Sequence, residues 1–323
     1  MRRAIGAEVV TNEPARVPPS LGGGGQGAGA DRLGPSPPNL VSLGEGDLSS
    51  LPPLRDVIAR HGLAARHALG QHFLLDLNLT ARIVRAAGDL AGRHVIEVGP
   101  GPGGLTRALL ASPAAGVTAI ELDPRAVGAL RELEQAASGR LRVIEADARA
   151  LNLTTLAPPP RRIVANLPYN VGTSLLIGWL RQASTFEAMT LMFQQEVADR
   201  LVAAPGTATY GRLSVLAQTV CAARILLRLP PEAFVPPPKV SSAVVQLVPH
   251  ATQPTPALLA SLERVTAAAF GQRRKMLRGA LRGAGGAALL AHAGIAPERR
   301  AETLSIEEFA RLARAAVNAG PKL

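Results

Sequence analysis

The stretch HVIEVGPGPGGLTRALLAS, residues 94–112, decides the fold. It opens with a short apolar run that includes the β-branched Val95, Ile96 and Val98, the composition of a buried strand. The run stops at a cluster of glycines, and a helical text follows through Leu105 and Leu109. Gly99, Gly101 and Gly104 match G-x-G-x-x-G. Glycine at such positions lets the backbone approach a ligand without a Cβ clash and permits positive φ. Strand, glycine turn and helix together make one unit of an α/β sheet, whose ligands sit at the carboxyl ends of the strands.

The alternation continues outward. NLTARIVRAAG reads as an amphipathic helix and GVTAIELD as a strand. PRAVGALRELEQAA is a helix with Pro124 in its first turn. LRVIEAD and RRIVANLP are strands, VGTSLLIGWLRQ is a helix, EAMTLMFQ a strand and QEVADRLVAA a helix. FVPPPKVSSAVVQLVPH closes the series with a period-2 strand. This rhythm predicts a doubly wound, Rossmann-like parallel sheet over residues 51–250, entered through the helical LPPLRDVIARHGL. Residues 251–323 turn helical in PALLASLERVTAAAF, RRKMLRGALRGAG and SIEEFARLARAAVNA, which predicts a small all-α C-terminal domain. Sixteen of the first 50 residues are Gly or Pro. Such a segment buries too little apolar surface to offset its ordering entropy, so residues 1–50 are expected to be a disordered extension.

Composition narrows the function. The chain has 323 residues and a formal net charge of +11, from 35 Lys+Arg against 24 Asp+Glu. That excess favours a polyanionic partner, although a solubilising surface would also produce it. The single cysteine, Cys221, excludes an intrachain disulfide and a Cys-based metal site, and its apolar surroundings suggest a buried thiol. No apolar run approaches the ~20 residues of a membrane span. The N-terminal text lacks the apolar region of a secretory signal. A cytoplasmic protein without membrane association is expected.

The ends of successive strands carry the chemistry. Glu97 precedes Gly99 by two residues, giving E-x-G-x-G-x-G. Glu121 ends the next strand, where a carboxylate can accept from both hydroxyls of a ribose. Asp147 ends the third, where a carboxylate can take an adenine amino hydrogen. The glycines alone fit a dinucleotide enzyme equally well. The acidic lead into the loop and the adenine-directed Asp147 favour a nucleoside-methionine donor, and no residue stands out as a hydride-transfer acid. The fourth strand ends in Asn166-Leu167-Pro168-Tyr169. An exocyclic adenine amine is a poor nucleophile because its lone pair is delocalised into the ring. The Asn166 amide oxygen and the Leu167 carbonyl can accept its hydrogens and aim the lone pair at an electrophilic methyl. Pro168 stiffens the turn, and Tyr169 offers a face on which a base stacks.

These pieces, with ALGQHFLLD, FQQEVADRLVAAPGTATYGRLSVLAQ and FGQRRKMLRGAL, make the chain resemble the KsgA-type dimethyladenosine transferases of small-subunit ribosomal RNA from about residue 51 to 315. The resemblance implies a Rossmann-like class I methyltransferase sheet with a helical C-terminal domain. It implies transfer from S-adenosylmethionine, without metal, to two adjacent adenines in the 3′-terminal hairpin of 16S rRNA, by a monomer acting on the small subunit or its precursor. Family sites carry over to His72, Leu74, Gly99, Gly101, Glu121, Asp147 and Asn166 for the cofactor. His72 stands where many relatives have Asn, and the resemblance gives its imidazole the task of donating to a carboxylate. Phe234 is implied to stack the base opposite Tyr169. The related large-subunit enzymes of antibiotic resistance share NLPY-like chemistry, but YGRLSVLAQ and FGQRRKMLR favour the small-subunit family. A non-catalytic RNA-binding or assembly factor would not need the intact Asn166/Tyr169 pair. From Arg264 to Pro297 there are six basic residues and no acidic one, centred on Arg273, Arg274, Lys275 and Arg278. This run reads as a phosphate-contacting surface.

Overall fold

The computed structural model describes residues 51–64 and 70–319, so the expectation for residues 1–50 lies outside the described part. Helix α1 (Leu54–Arg60) buries Leu54 and Val57. The two-residue strand β1 (Phe73–Leu74) leads into α2 (Leu77–Ala86), whose N-cap Asp76 accepts from the amides of Asn78 and Leu79. The alternation then proceeds through β2 (His94–Val98), α3 (Gly104–Leu110), β3 (Gly116–Glu121), α4 (Pro124–Ala136) and β4 (Leu141–Glu145). It continues with β5 (Arg161–Asn166), α5 (Gly172–Leu180), β6 (Ala188–Gln194) and α6 (Gln195–Leu201). Pro124 occupies the first turn of α4 behind the capping carboxylate of Asp123, as its position predicts.

The sequence reading assigns no element between QEVADRLVAA and the FVPPPK segment. The structure places α7 (Arg212–Val220) and β7 (Cys221–Leu229) there, followed by the short β8 (Phe234–Val235) and then β9 (Ser242–Pro249). The seven-stranded sheet has the order β4-β3-β2-β5-β6-β9-β7. Strands β2 to β6 are parallel, whereas β9 runs antiparallel to both β6 and β7. The expected all-parallel sheet is therefore corrected to a mixed one. Antiparallel neighbours need no crossover helix, and residues 230–241 join β7 to β9 without one. Within that connection, β8 pairs with β1 in the register Phe73↔Val235 and Leu74↔Phe234.

Alternation along the strands divides the core between two faces. Val95, Val117, Ala119 and Val164 pack with α2, α3 and α4. Ile96, Ile120, Ile163 and Ala165 pack on the other face with α5 and α7. This second cluster runs on into α8 (Pro256–Gly271) and α11 (Ile306–Asn318). In a chain with 3% aromatic residues, three rings mark the seam. Tyr210 meets Phe270 edge-on at 6.0 Å, and Phe270 stacks on Phe309 at 5.5 Å. The Tyr210 hydroxyl donates to the Leu304 carbonyl at 2.9 Å. Ser305 and Glu308 close a reciprocal capping box at the start of α11.

Between α8 and α11 lie α9 (Leu277–Ala280) and α10 (Gly286–His292). Arg273, Arg274 and Lys275 are thus on the turn after α8, not on a helix as RRKMLRGALRGAG suggests. The turn is held by the Leu277 amide donating to the Arg299 carbonyl at 2.7 Å.

Candidate active site

A cavity of about 320 Å³ opens at the carboxyl ends of β2 to β5. It sits at the point where the strand order reverses, between β2 and β5, the general ligand position in such sheets. Registered pairs between these two strands end at Ile96↔Ile163, although β2 runs to Val98 and β5 to Asn166. The strand tips past that pair line the cavity.

The glycines earn their positions through close approach. Gly99 has φ +71°, and a Cβ there would lie 3.2 Å from Cδ of Pro168. Gly101 has φ +56°, and its Cβ would press on the Phe73 ring at 3.0 Å. A Cβ on Gly104 would overlap the Leu74 carbonyl oxygen. The first glycine therefore seats the Asn166–Tyr169 turn, and the other two seat β1. His72, Leu74, Gly99, Gly101, Glu121, Asp147 and Asn166 all line the cavity.

The three carboxylates differ in environment. Glu121 is 6% exposed and already holds the loops. Its Oε1 accepts from the amides of Leu122 at 2.8 Å and Asp123 at 2.9 Å, and its Oε2 from Gly101 at 3.0 Å. Burial pushes its carboxyl above the ordinary range, against the pull of those three amides. Oε2 keeps a lone pair for a ligand. Asp147 is clasped by Arg149, whose guanidinium reaches Oδ2 at 2.6 Å and holds the carboxyl below its usual range. Arg149 also lines the cavity. Glu97 is 1% exposed, and burial pushes it up to about 8. Thr106 is near enough to lower that value, yet neither Glu97 Oε2 nor the Thr106 hydroxyl completes a hydrogen bond. A buried carboxylate oxygen without a partner calls for a donor or a cation from a ligand.

The Asn166–Tyr169 turn is held from three sides. Nδ2 of Asn166 donates to the His72 carbonyl at 3.1 Å, which leaves the amide oxygen as the acceptor end. The Tyr169 hydroxyl is 2.5 Å from Oγ of Ser242, a fully buried residue at the start of β9. The His72 ring stacks on Tyr169 with centroids 5.1 Å apart and planes 30° apart. Nδ1 of His72 lies 2.8 Å from the Pro236 carbonyl.

Phe234 is not at the site. It is 1% exposed, packs in the core opposite Leu74 and is not among the cavity-lining residues. The expected stacking position opposite Tyr169 is therefore not formed by Phe234 in this structure. Strand alternation is the cause: β8 turns Phe234 inward and leaves Val235 49% exposed.

Arg149, Ser242 and the Pro236 carbonyl escape the sequence reading. Arg149 has a weak signal, an arginine two residues past a strand-end aspartate. Ser242 and Pro236 have none, because their partners lie 73 and 164 residues away.

Of the expected phosphate-binding residues, Arg273, Arg274, Lys275 and Arg278 are all exposed. Arg273 donates to the Ala208 carbonyl at 2.9 Å and approaches Glu302 at 3.9 Å. Arg278 is 4.0 Å from Glu298.

The chain is similar to proteins already known. Ribosomal RNA small subunit methyltransferase A of Gluconobacter oxydans is 60% identical over 264 residues, covering 82% of this chain and 87% of that protein. The protein of the same name from Paramagnetospirillum magneticum is 58% identical over 269 residues, covering 83% and 96%. Among solved structures, a dimethyladenosine transferase from Plasmodium falciparum shares the fold with a TM-score of 0.64 at 24% identity, covering 75% of this chain and 96% of that one. The 23S rRNA methyltransferase ErmE aligns with a TM-score of 0.56 at 29% identity, covering 76% and 99%. The family model described as Ribosomal RNA adenine dimethylase matches residues 62–317, and the chain belongs to that family.

Proposed function

We propose that this enzyme transfers methyl groups from S-adenosylmethionine to the N6 amines of two adjacent adenosines in the 3′-terminal hairpin of 16S rRNA, giving N6,N6-dimethyladenosines. It would act as a cytoplasmic monomer on the small ribosomal subunit or its precursor, and contribute to that subunit's biogenesis. The observation that carries the reading is the close approach of Gly99 to Pro168. It sets the Asn166–Tyr169 turn directly against the glycine loop, which supports an amine-steering role for that turn.

The residues present fit the cofactor. Glu97 Oε2 is buried at the cavity and lacks a hydrogen-bond partner, so a polar group of a ligand can complete it. Gly99, Gly101 and Leu74 line the cavity wall, Glu121 retains a lone pair for a ribose hydroxyl, and Asp147 would take the adenine amino group. S-adenosylmethionine supplies an electrophilic methyl on a cationic sulfur. The chain's part is to hold the target amine. Asn166 Oδ1 and the Leu167 carbonyl accept its two hydrogens and draw the nitrogen lone pair out of conjugation. Tyr169 stacks the base, which must leave its RNA stack to enter. The methylated amine is acidic while cationic and loses its proton to water, so no strong base is required. A monomethyl amine keeps one hydrogen for an acceptor, which permits a second round. Arg273, Arg274, Lys275 and Arg278 would contact RNA phosphates from the C-terminal part, residues 251–323.

Mass spectrometry of small-subunit RNA from cells lacking this protein tests the reading. Loss of two adjacent dimethyladenosines, restored by the gene, is expected. Unchanged 16S rRNA, or loss confined to 23S rRNA as the ErmE likeness would suggest, would refute it.

A further inference from the structure

We propose that His72 is the positioning residue of the base platform. Its imidazole backs the Tyr169 ring and braces the Pro236 connection. This rests on the reading that Tyr169 stacks the target base.

The hydrogen bond fixes the ring's chemistry. The Pro236 carbonyl can only accept, so Nδ1 carries the hydrogen of the 2.8 Å contact. That contact ties the ring to the segment that follows Val235.

The packing supplies the role. A stack at 5.1 Å and 30° sets His72 against one face of Tyr169, so a base would take the other. The tip of the same ring is pinned by Ser242 at 2.5 Å. Face and tip together fix its plane. The backbone of residue 72 also takes the Asn166 amide hydrogen at 3.1 Å. Residue 72 thus touches both base-handling side chains and the segment that follows Val235, itself paired with Phe73.

Three variants separate the parts. His72→Phe keeps a stacking ring and loses the donor. His72→Asn keeps a donor and loses the ring. His72→Ala loses both. S-adenosylmethionine affinity is measured by calorimetry without RNA, and kcat and KM are measured on unmethylated small-subunit particles at saturating cofactor. At saturating cofactor, kcat/KM for particles should fall on the order of tenfold or more in His72→Ala and less in the two partial variants, and any change in cofactor affinity should not account for that fall. In a Tyr169→Ala background, His72→Ala should have little further effect, because the ring it backs is gone. Wild-type kcat/KM in His72→Ala would overturn the proposal. So would a tenfold loss of cofactor affinity in His72→Phe with particle kinetics unchanged, or additive losses in the double variant. Wild-type protein that fails to methylate the particles would instead refute the function on which the proposal rests.

Discussion

Asn166 has one end of its amide committed and the other left over. The hydrogen bond from Nδ2 to the His72 carbonyl orients the group, so in the proposed reaction the oxygen would meet the target amine without reorganisation. Asn166→Ala should cut single-turnover methylation by on the order of 10²–10³, the scale for one oriented polar group removed from a transition state. Wild-type turnover in that variant would remove amine steering from this turn. Tyr169→Phe keeps the ring yet strips the buried Ser242 hydroxyl of its partner, so it should lower unfolding stability by about 1–2 kcal/mol in denaturant titrations. Glu97 gives a pH signature. Its native carboxyl lies near 8, above its ordinary value of 4.5, so between those values the native state holds more protons than the unfolded one. Stability therefore falls as pH rises through that window. Denaturant unfolding at pH 6 and pH 9 should show wild type losing a few kcal/mol relative to Glu97→Gln, whose side chain does not titrate. Equal pH dependence in the two proteins would refute a protonated native Glu97. Asn166, Glu121 and Asp147 are legible in the sequence because each lies at, or two residues past, a strand end at one edge of a sheet. The partners of Tyr169 are not, since only the folded topology brings residues 72, 236 and 242 to it.

At the level of elements, the glycine loop and β1 depend on each other. Gly104→Ala would drive a Cβ into the Leu74 carbonyl, a backbone atom that cannot rotate away. The expected result is a loss of about 1–3 kcal/mol in thermal or denaturant unfolding, with weakened S-adenosylmethionine binding in calorimetry. Gly178 on α5 is the contrast: a Cβ there meets nothing within 4 Å. Gly178→Ala should be neutral or stabilise by up to about 1 kcal/mol, through a smaller unfolded-state entropy. A destabilised Gly178→Ala together with a silent Gly104→Ala would contradict these roles for the two glycines. The sequence shows β2 to β6 clearly because each is a short apolar run bounded by turn residues. It hides β7, in which Arg224 and Arg228 interrupt the apolar text and a bulge between Ile225 and Leu227 breaks the two-residue period. Phe234 misleads for a related reason. The family resemblance implies a place for it opposite Tyr169, but one step of strand alternation puts it in the core.

Across the whole molecule, an excess of +11 need not act in one place. Many arginines are already committed. Arg93 and Arg162 share Glu187, Arg181 pairs with Glu263, and Arg299 pairs with Glu308. The turn after α8 differs, because its exposed cations outnumber the acids near them. Arg273 is partly structural there, since it donates to the Ala208 carbonyl and so ties the turn to the preceding loop. Exposed Arg274 and Lys275 beside it are the better candidates for binding phosphates. The run of like charge is legible in the sequence, but this division of labour is not, because it depends on a carbonyl 65 residues away. Replacing Arg274 and Lys275 together with Ala should flatten the plot of log affinity for small-subunit RNA against log salt by about 0.7–0.9 for each phosphate no longer neutralised. Unfolding stability and S-adenosylmethionine affinity should stay at wild type, because neither side chain lines the cavity. Arg273→Ala should reduce stability as well as RNA affinity, because it frees the Ala208 loop. If the double variant keeps the wild-type salt slope, the charge on this turn serves solubility, and the RNA must be held elsewhere on the basic surface.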